Sequence, residues 1–443
     1  MSSYDTILRG GTVWTVCGPQ ECDVGVRAGR IAAIGLGGGE AGEEIDCTGL
    51  TVLPGVIDTQ VHFREPGLEH KEDLESGSRA AVLGGVTGVF EMPNTSPNTD
   101  SAEALADKLD RAAGRMWCDH AFYVGATSAN ADRLFELERL PGAAGIKIFM
   151  GASTGNLLVS EDAELARVLA SGRRRVAVHA EDEARMNARA GERIEGDASS
   201  HPVWRDDESA LLATRRIIAL AREARRRIHI LHVTTPAELE LIAQHKDLVS
   251  CEVTPQHLTL AGEEAYPRLG TYAQMNPPIR SGAHRDGLWH WLNQGVPDVI
   301  GSDHAPHTVE EKAKAYPASP SGMPGVQTLL PLLLDHVANG RTTLHRLVDL
   351  TSAGAQRVFG IVGKGRIAVG YDADFTIVDL KARWTIEESW LASRCGWSPF
   401  TGLTLTGKPV GTIIRGHRVM WEGCLANRPV GEPIRFESVE FEA

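Results

Sequence analysis

Basic residues are scarce in this 443-residue chain: 45 lysines and arginines against 58 aspartates and glutamates leave a formal charge of −13. A nucleic-acid binder needs a basic face to neutralise phosphates, so that class is excluded. The arginine runs Arg173–Arg175 and Arg225–Arg227 are short, and amid helical periodicity they read as solvated helix surface. Long apolar stretches are missing too. None approaches the ~20 residues needed to cross a bilayer, and the opening Met-Ser-Ser-Tyr-Asp lacks the basic start and apolar core of a secretory signal. The seven cysteines are scattered, odd in number and never in a CxxC pair, which disfavours a disulfide scaffold and a cysteine zinc site. Hydrophobic residues at 42% and charged ones at 23% match ordinary globular usage and exclude extended disorder. The expectation is a soluble, reduced, cytoplasmic protein that acts on a small molecule, with no nucleic-acid or membrane partner.

What is present is alternation. A soft prior of roughly 150 residues per domain allows two or three domains, and equally one large barrel with accessory strands. The first fifty residues read as short strands broken by glycine: Thr6–Leu8, Thr12–Val16, Val24–Arg27 and Arg30–Ile34. Gly35–Gly42 reads as a flexible turn region, not a phosphate loop, because no helical pattern opens after it. From Val52 onward, short apolar runs alternate with longer segments of helical periodicity, as βα units do. Eight runs qualify as strands: Val52–Ile57, Gly85–Glu91, His120–Val124, Gly145–Phe149, Val176–Ala180, Ile228–Val233, Leu248–Val253 and Val299–Ser302. No early glycine fingerprint points to an open doubly wound sheet. The predicted fold is α/β, a (β/α)8 TIM barrel over 55–360 with a small β-sandwich built from both chain ends, 1–54 and 361–443. The later strand candidates are Gly365–Ala368, Asp374–Asp379, Thr412–Arg415 and His417–Trp421.

Active sites of parallel barrels gather where strands end, and the strand ends here carry metal-binding or titratable side chains in an orderly series. After the first strand, Gln60, His62 and Arg64 alternate onto one side of an extended segment. Arg64 can fork onto a carboxylate while His62 holds a metal. Lys147 lies inside the apolar run Gly145–Phe149, where burial disfavours an ammonium ion. Either it is paired in a buried salt bridge, or its neutral amine captures carbon dioxide to give a carbamate able to bridge two divalent ions. His179 and His232 end the fifth and sixth strands. By alternation His229 points opposite to His232 and outward, which leaves His232 as the candidate ligand. Asp303 follows the last strand in Gly301–His307 and suits a ligand, a general base, or both. Each histidine alone could be structural; together they read as a metal site. His304 is placed as a residue that orients Asp303. His70, His201, His245, His284, His290, His336, His345 and His417 read as structural.

At these residues the chain resembles the amidohydrolase superfamily, and within it the dihydroorotases most closely. The resemblance spans essentially the whole chain. Its specific stretches are Phe63-Arg64-Glu65-Pro66-Gly67, Met92-Pro93-Asn94-Thr95, Lys147 through Gly155 and Asp303-His304-Ala305-Pro306-His307, with Gly29–Ile34 and Gly370–Asp379 similar to the composite β-sandwich of such enzymes. Hydantoinases typically place a tyrosine shortly after the lysine, and this region has none. The resemblance implies zinc, as one or two ions, with carboxylated Lys147, His179 and His232 at one position and His62 with Asp303 at the other. It further implies that Arg64, Asn94, His307 and Asn276 bind the substrate. Two departures stand out. The family's first motif is His-x-His, whereas this chain has Gln60-Val61-His62, and a neutral amide oxygen is a poorer zinc ligand than imidazole. Gln256 stands where many dihydroorotases have a histidine.

The implied activity is interconversion of N-carbamoyl-L-aspartate and L-dihydroorotate in pyrimidine biosynthesis, with Asp303 as general base and then acid. Two alternatives accompany it. One is an allantoinase- or hydantoinase-like cyclic ureide hydrolase, whose substrates lack the ring carboxylate that Arg64 and Asn94 would hold. The other is a non-catalytic barrel supporting aspartate transcarbamoylase. Gln60 keeps that second alternative open, while Lys147, His179, His232 and Asp303 argue against it. The resemblance also suggests a homodimer. The loop Glu310–Ser321 is a candidate cover for the substrate.

Overall fold

The computed structural model describes residues 4–36, 38–152 and 157–438. Seven strands precede the barrel: β1 (Tyr4–Arg9), β2 (Thr12–Thr15), β3 (Gly18–Glu21), β4 (Val24–Arg27), β5 (Arg30–Ile34), β6 (Ala41–Asp46) and β7 (Thr51–Pro54). The barrel strands follow as β8 (Val56–Val61), β9 (Val86–Glu91), β10 (Asp119–Gly125), β11 (Ala143–Phe149), β12 (Val176–His179), β13 (Ile228–Ile230), β14 (Val249–Val253) and β15 (Val299–Ile300). Four more close the chain: β16 (Phe375–Thr385), β17 (Thr404–Ile414), β18 (His417–Trp421) and β19 (Cys424–Leu425).

The eight barrel strands run parallel in sequence order, β8 to β15. A parallel bridge between Val61 and His304, with the His62 amide donating to the His304 carbonyl at 2.7 Å, ties the first strand to the segment after the last. The strands are apolar and β-branched on both faces because both are covered. Val56, Val89, Ile146, Ile148, Val178, Ile228, Ile230, Val249 and Val253 pack outward against the helices, while Ile57, Tyr123, Ala177, Leu231 and Val299 belong to a separate inner cluster with Phe359 and Ile434. The helices are capped by side chains. Asp73 and Ser76, for example, form a reciprocal capping box at the start of Leu74–Leu83.

Both chain ends share a seven-stranded sheet of order β19-β18-β17-β16-β7-β2-β3, and the first strands also make a four-stranded sheet, β5-β4-β1-β6. Leu8, Val26 and Ile45 from the small sheet pack with Val52, Phe375 and Ile413 from the large one, so a single core fills the space between the two sheets. No helix among the described residues is long and apolar enough to cross a membrane.

Several expectations need correction. The run Val52–Ile57 is two strands of different sheets: β7 pairs with β16 and β2, while β8 starts the barrel, and the chain changes sheets at Gly55. A Cβ at Gly55 would meet Thr87 Oγ1 at 2.4 Å, so the crossing demands glycine there. Part of the Gly35–Gly42 turn belongs to β6, which pairs in parallel with β1; Gly37 lies outside the described residues. Gly365–Ala368 makes only an isolated bridge, Thr15 to Ile367. Neither arginine run is helix surface. Arg226 is buried and its NH2 lies 2.6 Å from Glu138, and Arg175 donates to the carbonyls of Val358, Ile228 and Leu248. Both runs stand in the turns that lead into β12 and β13, where strand-end carbonyls need donors.

Candidate active site

One pocket at the C-terminal ends of the barrel strands is lined by Gln60, His62, Arg64, Asn94, Lys147, His179, His232, Asn276 and Asp303, together with Phe149, Ser321 and Gly322. His307 stands directly behind Arg64, its Nε2 at 3.3 Å from the Arg64 NH2. The structure therefore brings every sequence-predicted site residue to one place. Part of the motif Lys147–Gly155, namely Ser153 to Gly155, lies outside the described residues.

Lys147 occupies an inward position between Ile146 and Ile148, which pack outward. Its Nζ is buried and has no hydrogen-bond partner among the described residues. Burial pulls its pKa down to about 7 even though Asp303 and Glu252 oppose the shift, so a large share of the amine is neutral near neutral pH. A free amine is the form that adds carbon dioxide. The salt-bridge reading of this lysine finds no partner at contact distance among the described residues.

Two pairs of side chains face each other around Lys147. His179 Nδ1 lies 3.0 Å from His232 Nε2, and His62 Nε2 lies 3.2 Å from Asp303 Oδ1. Ligands at about 2.0–2.1 Å from a tetrahedral ion stand roughly 3.3 Å apart, so both spacings suit a shared cation. The His179 pair carries a further mark. Its Nε2 is 2.9 Å from Glu181 Oε2, an anion that favours the proton on Nε2 and the Nδ1 lone pair toward His232, as an outer carboxylate does for a metal ligand. Burial alone would raise the Glu181 carboxyl, but Arg205 and His179 hold it well below the usual range, so it is a lasting anion. Burial keeps His62, His179 and His232 neutral, the state in which imidazole ligates. Among the described residues no three His, Cys, Asp or Glu side chains gather tightly enough to hold an ion alone. An acidic lysine derivative at 147 is the group that would complete the set.

Gln60 departs from this pattern. Its Nε2 donates to Asp303 Oδ1 at 3.0 Å, and its own Oε1 is buried without a partner. The amide thus presents a donor to Asp303 instead of a lone pair to an ion.

Three of these residues have left-handed backbones: Arg64 at φ 67°, His232 at φ 37° and Asp303 at φ 45°. Such conformations cost side-chain-bearing residues about 1–3 kcal/mol each and persist where the surroundings impose them. They also explain a correction. β13 ends at Ile230, and both Ile228 and Ile230 point outward, so alternation sends His229 inward, where it is fully buried at 3.3 Å from Glu252. His232 reaches the pocket because the chain has left the strand and turned, not because of alternation.

Arg64 is 1% exposed, with Nε donating to the Pro306 carbonyl at 3.2 Å and NH1 buried without a partner. A buried guanidinium with a free N–H beside a pocket is an anion receptor in waiting. Asn94 holds His62 Nδ1 at 2.8 Å. Asn276 is positioned by His201, whose Nε2 lies 2.9 Å from its Oδ1. Three supporting residues lie outside the set that the sequence points to: His201, Glu181 and Lys71, the last with its ammonium 3.2 Å from His307 Nδ1. Glu181 was legible as a carboxylate two positions after His179. The partners of His201 and Lys71 lie 75 and 236 residues away, and no local pattern reports such contacts.

Comparison with known proteins agrees with this geometry. A family model described as the amidohydrolase family matches residues 51–419. Dihydroorotases are 35% to 40% identical over most of the chain. That of Halobacterium salinarum is 40% identical over 388 residues, covering 87% of this chain and 89% of the relative. An allantoinase from Rubrobacter xylanophilus is 37% identical over 454 residues, with 98% of each chain covered. The solved structure of L-hydantoinase from Arthrobacter aurescens superposes with a TM-score of 0.92 at 32% identity, over 98% of this chain and 100% of that one.

Proposed function

The chain belongs to the amidohydrolase family, and on that premise we propose that it is a metal-dependent cyclic amide hydrolase of the dihydroorotase type, interconverting N-carbamoyl-L-aspartate and L-dihydroorotate in the cytoplasm. Enzymes of this family are generally metal-dependent. The observation that carries the dihydroorotate reading is Arg64, a buried guanidinium with a free N–H beside the paired ligands. Dihydroorotate has a ring carboxylate to place there; allantoin and unsubstituted hydantoins have none.

Lys147, as its carbamate, with His179 and His232 would hold zinc. His62 and Asp303 would serve a second and weaker ion, because Gln60 turns an N–H toward Asp303. Bound there, a divalent ion polarises the ring carbonyl and makes water acidic enough to react near neutral pH.

The chain's own residues do the rest. Arg64 and Asn94 anchor the carboxylate away from the reacting bond and so orient the ring. Asp303 takes the proton of the attacking water and passes it to the leaving ring nitrogen; in the closing direction it protonates the departing hydroxyl. Burial raises Asp303 to about 6 against the pull of Lys147 and His179, which places it near the operating pH of such a base. Gln60 donates to its Oδ1 and holds it in place.

A panel of dihydroorotate, allantoin and hydantoin separates this reading from its neighbours. The expected order places dihydroorotate first by a wide margin. A preference for allantoin or hydantoin would replace the substrate while keeping the enzyme class.

A further inference from the structure

Lys71 stands outside the pocket lining, yet its ammonium lies 3.2 Å from His307 Nδ1 and 3.1 Å from Glu311 Oε1. On the other side of the ring, His307 Nε2 is 3.0 Å from the Ser321 carbonyl. A carbonyl can only accept and an ammonium can only donate. The ring is therefore in one tautomer, with the proton on Nε2 and the lone pair on Nδ1. The Nε2–H lies on the Arg64 side of the ring, where the guanidinium NH2 approaches to 3.3 Å. Both of those groups are donors, so that contact is not a hydrogen bond. It is a pair of N–H groups converging beside the pocket wall formed by Ser321.

We propose that Lys71 is a positioning residue of the anion pocket: by donating to His307 Nδ1 it holds the ring with Nε2–H beside Arg64, where this N–H, given to the Ser321 carbonyl in the absence of substrate, is handed to the substrate carboxylate that Arg64 receives. The part played by the carboxylate rests on the dihydroorotase reading, whereas the tautomer does not. Charged groups crowd the ring, Lys312 among them. Arg64 and Lys71 flank it, Glu311 stands 3.6 Å from Nδ1 and balances the Lys71 charge, and the Trp397 indole holds the His307 backbone carbonyl at 2.8 Å. Burial keeps the ring neutral, at about 3, so the second proton that would erase the tautomer is absent at working pH. Without Lys71, Nδ1 would lose its donor and only the Ser321 carbonyl would hold the proton on Nε2, so a share of the rings would carry it on Nδ1, toward Glu311, and present a lone pair to the carboxylate.

The test begins on the unaltered protein. Nitrogen-15 shifts of the His307 imidazole, in protein without substrate, should report Nε2–H, and in Lys71→Met they should move to a mixture of tautomers. An Nδ1–H ring in the wild type would overturn the proposal with no variant needed. In kinetics, Lys71→Met should raise the KM for dihydroorotate about tenfold while kcat changes by less than about threefold, and Lys71→Arg should restore most of it. An equal fall of kcat with KM unchanged, or a Lys71→Arg variant as poor as Lys71→Met, would refute it. If dihydroorotate is not turned over at all, the substrate reading fails, while the shifts still decide the tautomer.

Discussion

The two sides of the pocket are built by different means. On one side, Lys147 and His179 sit at regular strand positions, pinned by ladder hydrogen bonds and by outward-packed neighbours such as Ile146, Ile148 and Val178. On the other, Arg64, Asp303 and His307 stand on irregular backbone past the strand ends, two of them with left-handed φ, and they are held by side chains: Gln60 on Asp303, Lys71 and Glu311 around His307. The strand side presents lone pairs and a reactive amine, as an ion requires. The loop side presents the Asp303 carboxylate toward His62 and, beyond it, N–H groups and an anion-ready guanidinium, as a substrate carboxylate requires. Rigid ladders fix what must not move, and side-chain networks tune what must discriminate.

The sharpest way to break that division is Lys147→Ala. Loss of the strand-side anchor should empty the ion site and cut turnover by roughly 10³-fold or more, since the Lewis acid supplies several kcal/mol of the barrier. A short carboxylic acid should restore part of both metal content and activity. Full metal content in the variant, measured by elemental analysis, would contradict the carbamate assignment. On the loop side, Arg64→Met should leave metal content unchanged and lower kcat/KM by about 30- to 5,000-fold, the range for losing one partner of a buried charge pair at roughly 2–5 kcal/mol. Unchanged kinetics would remove Arg64 from the site. Glu181→Gln probes the strand side more gently. It should weaken metal affinity by about 10- to 100-fold while leaving KM for the carboxylate nearly untouched, read by competition with a chelator.

The smallest expected effect is on pH. Asp303 is raised to about 6 chiefly by burial, and as the proposed base of ring opening it acts in its ionised form. Opening should therefore fall about tenfold per pH unit below 6, while closing, which needs the acid form, should gain as pH drops toward 6. Opening rates that stay flat from pH 5 to 8 would show that another group moves the proton.

That same division governs how much was legible in advance. The βα alternation and the polar residues at strand ends expose the barrel and its pocket, because strand periodicity forces side chains to chosen faces. Lys147 is conspicuous for the same reason, as an amine in an apolar run. Periodicity fails where the chain leaves the strand. His232 is in the pocket despite the alternation that seemed to place it there, and the run Val52–Ile57 conceals a change of sheet at Gly55. Arg226 looks like surface in a run of three arginines, yet it is buried on Glu138, 88 residues away. Lys71 and His201 act through tertiary contacts that no local pattern encodes. The site is thus readable where backbone regularity dictates direction and hidden where side chains hold one another.

Ring opening of dihydroorotate by the purified protein, with metal per chain determined on the same sample, tests the joint working of the two sides most directly. Turnover accompanied by at least one ion per chain is the expected result. A protein that loads no ion and opens no ring would contradict it, because Lys147, His179 and His232 would then stand together without the chemistry their geometry suits.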